Sequence, residues 1–174
     1  MEKVFHILIV EDNSPDGTAD IVKKLMQEFP DRLFIEERKG KLGLGTAYLH
    51  GFKWAIARKY DYIYEMDADF SHPPKDLLNL YKACVEGADM AIGSRYVDGK
   101  ISVVNWPMGR VMMSYYASKY VQLITGMKIG DTTAGFACYK RSLLERINFD
   151  KVKFVGYAFQ IEMKFTAYKC GFKL

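Results

Sequence analysis

Apolar and polar positions fall in blocks along the chain. Val4 to Val10 (VFHILIV) is almost continuously apolar, as a buried strand is, and it stops at the polar turn Glu11-Asp12-Asn13-Ser14-Pro15-Asp16-Gly17-Thr18. Ala19 to Phe29 then repeats apolar residues at Ile21, Val22, Leu25, Met26 and Phe29, a helical stripe. Leu33 to Glu36 reads as a short strand, and the glycine-rich Gly40 to Gly45 feeds a helix running to Arg58. The aromatic and aliphatic run from Tyr62 is cut off by Asp67 and Asp69 and then by a turn held by Pro73 and Pro74. A helix follows from Pro74 to Glu86, and a short strand from Asp89 to Gly93 ends in Ser94-Arg95-Tyr96. This βαβα rhythm predicts a single α/β domain over 1–174, a mainly parallel sheet with helices on both faces.

The chemistry gathers at strand ends. Residues two apart on a strand share a face, so Asp67 and Asp69 project the same way. In an open α/β sheet that edge is where ligands bind. Two close carboxylates repel unless a cation sits between them, and a hard divalent ion with oxygen ligands is the usual partner. The alternative on spacing alone is an Asp-rich turn capping the helix near Pro74. Glu11-Asp12 and Ser94-Arg95 end two further strands, and acids suit a ribose, a base edge or a metal where an arginine suits a phosphate. Gly43-x-Gly45 lacks the third glycine of a dinucleotide fingerprint, and no glycine-rich stretch ends in Gly-Lys-Ser/Thr. Asp12, Asp16 and Asp20 lack the spacing and closing Glu of a calcium loop.

Composition narrows the classes further. Of 174 residues, 49% are hydrophobic and 26% charged, which excludes a disordered chain. A net charge of +4, with the basic residues scattered, suits anionic small ligands or an anionic membrane surface and gives no nucleic-acid patch. Cys84, Cys138 and Cys170 are far apart and read as reduced core residues of a cytosolic protein. The longest run without Lys, Arg, Asp or Glu, 42–52, is too short to span a bilayer, and Glu2 and Lys3 do not open a signal peptide. The chain is expected in the cytoplasm, or peripheral on the cytoplasmic face of a membrane.

Ile9-Val10-Glu11-Asp12-Asn13-Ser14-Pro15-Asp16-Gly17-Thr18, Lys41-Leu42-Gly43-Leu44-Gly45-Thr46-Ala47, Met66-Asp67-Ala68-Asp69 and Gly93-Ser94-Arg95-Tyr96 together resemble the inverting GT-A (Rossmann-like) glycosyltransferases of family 2. With Asn105-Trp106-Pro107-x-Gly109-Arg110-x-x-x-Ser114, Asp131-Thr132-Thr133-Ala134-Gly135-Phe136 and Gly156-Tyr157-x-Phe159-Gln160-Ile161-Glu162, the chain more closely resembles polyprenol- or dolichol-phosphate mannose synthases. The family opens with a strand ending in a Pro-x-Tyr-Asn-Glu type segment. The chain starts at what corresponds to the second strand and ends at Leu174 inside another, so it is expected to be a fragment lacking the usual first strand.

The resemblance implies a nucleotide-sugar donor, Mg2+ or Mn2+, and a lipid-phosphate acceptor. It places the metal at Asp67, Asp69 and Ser71, where relatives often have Gln in the third position. It puts Glu11, Asp12 and Asp16 on the donor side, with Asp67 on the metal or the ribose. Arg95, Arg110 and Ser114 would take the acceptor phosphate, Arg110 and Ser114 lying one helical turn apart. Asp131 stands where hydroxyl-using relatives keep a base, and here it would orient a substrate, because a phosphate monoester needs no deprotonation. The implied reaction moves mannose from GDP-mannose to a polyprenol phosphate. The alternatives are a UDP-sugar donor, such as one carrying glucose, or a nucleotide- or lipid-phosphate-binding module without turnover.

Two stretches stay open on sequence. Met108 to Met127 is apolar nearly all round, with Arg110 and Lys119 breaking it, and is either a core helix or an interfacial one, with Trp106 suiting both. Glu162 sits on an otherwise core-like helix from Phe159 to Cys170, so it is either paired or lines the site. His72 is a metal ligand or a turn residue.

Overall fold

The computed structural model describes residues 4–97, 100–101 and 107–174. Asn105 and Trp106, part of the motif before the apolar helix, lie outside the described residues. Two sheets carry the architecture. In the first, β1 (Ile7–Glu11) and β2 (Leu33–Glu37) pair in parallel with Glu11 opposite Glu37. Helix α1 (Thr18–Glu28) crosses between them, as a parallel connection requires. Contrary to expectation, the first strand is only partly buried. Val4 and Ile7 are 63% and 54% exposed, because β1 ladders on one side to β2 alone among the described residues.

In the second sheet, β3 (Tyr62–Glu65) and β4 (Met90–Ile92) flank β7 (Ala137–Lys140). Both flanking strands run antiparallel to β7, so they run parallel to each other. The α/β class is as expected. Contrary to the expected mainly parallel sheet, each neighbouring pair here is antiparallel, because Phe136-Ala137-Cys138-Tyr139, a short apolar run with no turn signal of its own, slots in reversed at the centre. The short pair β5 (Tyr96–Val97) and β6 (Lys100–Ile101) follows β4.

Residues of β7 alternate between two cores. Ala137 and Tyr139 face Phe52 and Ala55 of α2 (Leu44–Ala57), Leu143 and Leu144 of α5 (Arg141–Arg146), and Phe159 and Met163 of α6 (Ala158–Lys169). Phe136 and Cys138 face Leu80 and Cys84 of α3 (Leu77–Val85), which follows a 3-10 turn at Pro74–Asp76. Helices thus cover both faces. Each large side chain fully buried here is worth about 1.5–3 kcal/mol. Cys84 and Cys138 are buried as expected, whereas Cys170 is exposed.

Helix α4 (Met108–Thr125) starts after Pro107 and stops at Gly126, whose φ of 73° is the left-handed conformation that glycine adopts freely. Apart from Val111, its large apolar residues are not core. Val111 and Ser118 are its buried residues, while Met113, Tyr116, Tyr120, Leu123 and Ile124 are each more than 60% exposed. The core-helix alternative is therefore excluded.

Candidate active site

The glycine-rich loop is a packing device. Gly43 (φ 97°) and Gly45 let α2 start directly against the Phe154–Val155 backbone, and Gly45 N donates to Val155 O at 2.9 Å. A Cβ on Gly45 would come within 2.8 Å of Phe154 O. Glu162 holds the same segment by accepting from Lys153 N and Phe154 N, so it is paired.

That start of α2 links two acids. Arg38, one residue past β2, donates through Nε and Nη2 to Asp12 at 2.6 and 2.7 Å and through Nη1 to Thr46 Oγ1 at 2.9 Å. Asp12 and Arg38 meet because they follow Glu11 and Glu37, which are register partners. Two residues along α2 from Thr46, the Tyr48 hydroxyl donates to Asp67 Oδ1 at 2.6 Å. Its ring lies 6.0 Å from that of Phe159 at an interplanar angle of 6°. Burial, then the nearby Glu65 and Asp67 carboxylates, push the Tyr48 phenol far above its ordinary range, so it stays a donor.

Glu11 and Asp16 serve the turn itself. Glu11 is covered by that turn and accepts from Ser14 N and Asn13 N, and the Ser14 bonds hold its carboxyl below the usual range. Asp16 is exposed and accepts from Thr18 N and Oγ1 at the start of α1, which lowers it likewise.

Asp67 and Asp69 stand just past β3. Asp69 accepts from Ser71 N at 3.0 Å across Phe70, and its bonds to Ser71 depress its pKa. Ser71, the expected third ligand, supports Asp69 through its backbone. Phe70 has a φ of 60° and is 97% exposed, a backbone conformation uncommon for a bulky residue. Neither Asp67 nor Asp69 forms an ion pair among the described residues. Nor, among those residues, do three His, Cys, Asp or Glu side chains come together to cage a metal unaided.

Across the site, Arg95 follows β4 and closes on Asp131. Nε and Nη2 donate to the two carboxylate oxygens at 2.7 Å each, Arg95 N donates at 3.1 Å, and Nη2 also donates to Thr133 Oγ1. The Asp131 side chain is fully buried. Burial alone would raise its pKa, but the Arg95 bonds outweigh that and hold it below the usual range. Asp67, Asp69, Arg95 and Asp131 all act on one imidazole, that of His72, whose ring lies 4.7 Å from that of Phe136 at 18°. Burial lowers the His72 pKa while Asp67 and Asp69 pull it up.

Helix α4 is tied to the same turn, since Thr132 N donates to Ser118 Oγ at 3.3 Å and Tyr96 Oη to Val111 O at 3.4 Å. Arg110 and Ser114 lie two turns and one turn before Ser118, on the same face. Arg38, Tyr48, Thr133 and the buried Glu65, Gln160 and Lys164 behind Asp67 were not singled out as site residues from sequence. Only the pairing of β1 with β2 exposes the Arg38 contact, and no local pattern marks the others.

Comparison with known proteins places the chain in a family. Residues 1–147 match glycosyl transferase family 2. The chain is 46% identical over 169 residues to the polyprenol monophosphomannose synthase of Mycolicibacterium smegmatis, covering 97% of this chain and 63% of that protein. It is 42% identical over 165 residues to the undecaprenyl-phosphate mannosyltransferase of Micrococcus luteus, covering 95% of this chain and 67% of that one. The chain thus spans about two thirds of the length of these relatives. With an α/β architecture consistent with a GT-A, Rossmann-like fold, the chain belongs to glycosyl transferase family 2.

Proposed function

We propose that this chain carries the donor and acceptor-phosphate sites of an inverting transferase that moves mannose from GDP-mannose to a polyprenol phosphate. One observation supports it most. Of the four acids Asp12, Asp67, Asp69 and Asp131, Asp12 and Asp131 are each neutralised by an arginine, while among the described residues Asp67 accepts from a phenol and Asp69 from Ser71, with no cation on either. Two uncompensated carboxylates fit Mg2+ or Mn2+, which take one or two protein carboxylates and complete their shell with phosphate oxygens and water. Asp67 and Asp69 would hold that ion, with Ser71 steadying Asp69. When bound, it supplies neutralisation of the charge developing on the leaving diphosphate.

The side chains do the rest. Asp12, fixed by Arg38, and Glu11, fixed by its turn, accept from the nucleoside, with Asp16 at the turn's rim. The acceptor phosphate oxygen attacks the anomeric carbon as its bond to the diphosphate breaks, inverting that centre. A phosphate monoester has its second pKa near 6, so its nucleophilic oxygen is largely ionised at neutral pH and needs no base. Asp131 suits that chemistry, because a carboxylate with a depressed pKa orients well and takes protons poorly. It holds Arg95, which with Arg110 and Ser114 receives the incoming phosphate. The exposed Met, Tyr, Leu and Ile face of α4 lies against the membrane, where the acceptor's tail resides. No helix among the described residues is long and apolar enough to cross one.

The test is calorimetric titration of GDP and UDP into the chain with Mn2+ and then with chelator, beside transfer from GDP-mannose to a polyprenol phosphate. Metal-dependent binding that prefers GDP, with mannosyl transfer, supports the reading. Binding that ignores metal and survives Asp69→Asn, or transfer from UDP-glucose alone, overturns it.

A further inference from the structure

Behind Asp67, on the same face of the chain two residues earlier, Glu65 is 1% exposed. Tyr139 Oη donates to its Oε1 at 2.9 Å. Across from it, Lys164 on α6 is fully buried. The Lys164 ammonium has three protons and three acceptors in reach: Ala134 O at 2.7 Å, and Gln160 O and Oε1 at 3.2 Å each. Gln160 thus accepts twice from Lys164, while among the described residues neither Glu65 Oε2 nor Gln160 Nε2 reaches a hydrogen-bond partner. A buried ammonium is costly, and an apolar side chain of similar volume would pack the same space at no such cost. What the ammonium adds is specificity of position.

The shortest of its bonds goes to the turn that organises the site. Ala134 follows Asp131, the partner of Arg95, and Thr133, which also accepts from Arg95. Gly135 comes next and packs on Asp67 so closely that a Cβ there would lie 3.3 Å from Asp67 Oδ2 and 3.6 Å from Gln160 Nε2. Movement of the Ala134 carbonyl would therefore shift the Arg95–Asp131 pair and the wall beside Asp67 together.

We propose that Lys164 is a positioning residue, whose bond to Ala134 O fixes the Asp131–Gly135 turn between Arg95 and Asp67. Its effect on the turn stands on the geometry alone, and its effect on turnover rests on the mannosyl-transfer reading.

The experiment compares Lys164→Met with the double variant Glu65→Gln/Lys164→Met, which leaves no orphaned charge. Melting temperature, amide hydrogen exchange across 131–136, and kcat and KM for mannosyl transfer are measured on each. The expected double variant melts near the wild type, exchanges across 131–136 about tenfold faster or more, and loses about tenfold in kcat with little change in donor KM. Recovery of exchange and kcat together with melting would overturn the proposal, because Lys164 would then only balance Glu65. Glu65→Gln alone keeps the Lys164–Ala134 bond, so its exchange across 131–136 stays near wild type, and a rise of about tenfold there overturns the proposal as well. If the wild type transfers no mannose, the functional reading falls, while hydrogen exchange still decides the role of Lys164.

Discussion

The two sides of the site treat their acids in opposite ways. On the Arg95 side, Asp131 has no exposed side-chain surface and is clasped in a two-pronged ion pair with a further backbone bond. Beyond β3, Asp69 is exposed and Asp67 half-buried, and their donors are uncharged. The first arrangement is complete within the protein and lends rigidity. The second leaves negative charge to be satisfied from outside, which is what a cation-assisted diphosphate site needs.

Breaking the open side should cost most activity and least stability. Asp69→Asn is expected to lower kcat for mannosyl transfer by about 10²–10³, with a melting temperature close to wild type. An unaltered rate would remove Asp69 from the proposed metal site.

Breaking the closed side should cost stability as well as activity, because Arg95 also belongs to the proposed acceptor site. Arg95→Gln leaves a buried carboxylate without its partner, and about 3–5 kcal/mol of stability should go with it in denaturant titration. The same pair sets a pH dependence. Because the Asp131 pKa is depressed on folding, its contribution is complete above the unfolded value of 3.8 and is lost as pH falls through the lower folded value. The stability gap between wild type and Asp131→Asn should therefore stay flat from neutrality down to about pH 5 and narrow only in stronger acid.

Finer contrasts are smaller. Tyr48→Phe removes one hydrogen bond from Asp67, and a fall of about tenfold in kcat/KM is expected from a bond to a charged group. The weakest effect concerns α4. Wild-type chain should sediment with anionic vesicles at low salt, and Met113→Ser/Leu123→Ser should reduce the bound fraction. Equal binding by both would separate α4 from the membrane.

Legibility followed the range of the interaction. Local signals placed α1, α2, α3, α4 and α6 within a few residues, and the acid pair after β3 stood out because apolar strand and polar turn are neighbours in sequence. The central strand β7 went unread, since its place between β3 and β4 depends on pairings more than 40 residues away in sequence. Asp131 was found through the family pattern, but its closure by Arg95 depends on a fold-level meeting of two loops. Arg38 escaped notice for the same reason. Nothing in a helix reading Phe159-Gln160-Ile161-Glu162-Met163-Lys164 says that Glu162 braces a nearby loop while Lys164 points to the core.

Thr46 and Tyr48 project from opposite sides of one turn of α2, one steadying the Arg38–Asp12 pair and the other Asp67. On the proposed reading, with Asp12 at the nucleoside end of a donor and Asp67 at its diphosphate end, the distance between those ends would be gauged by a stiff rod with a rise of about 1.5 Å per residue. A change of base calls for new side chains at one end of that rod. A donor with a longer or shorter linker would need the rod itself rebuilt, so recognition of the base can drift while the diphosphate spacing stays fixed.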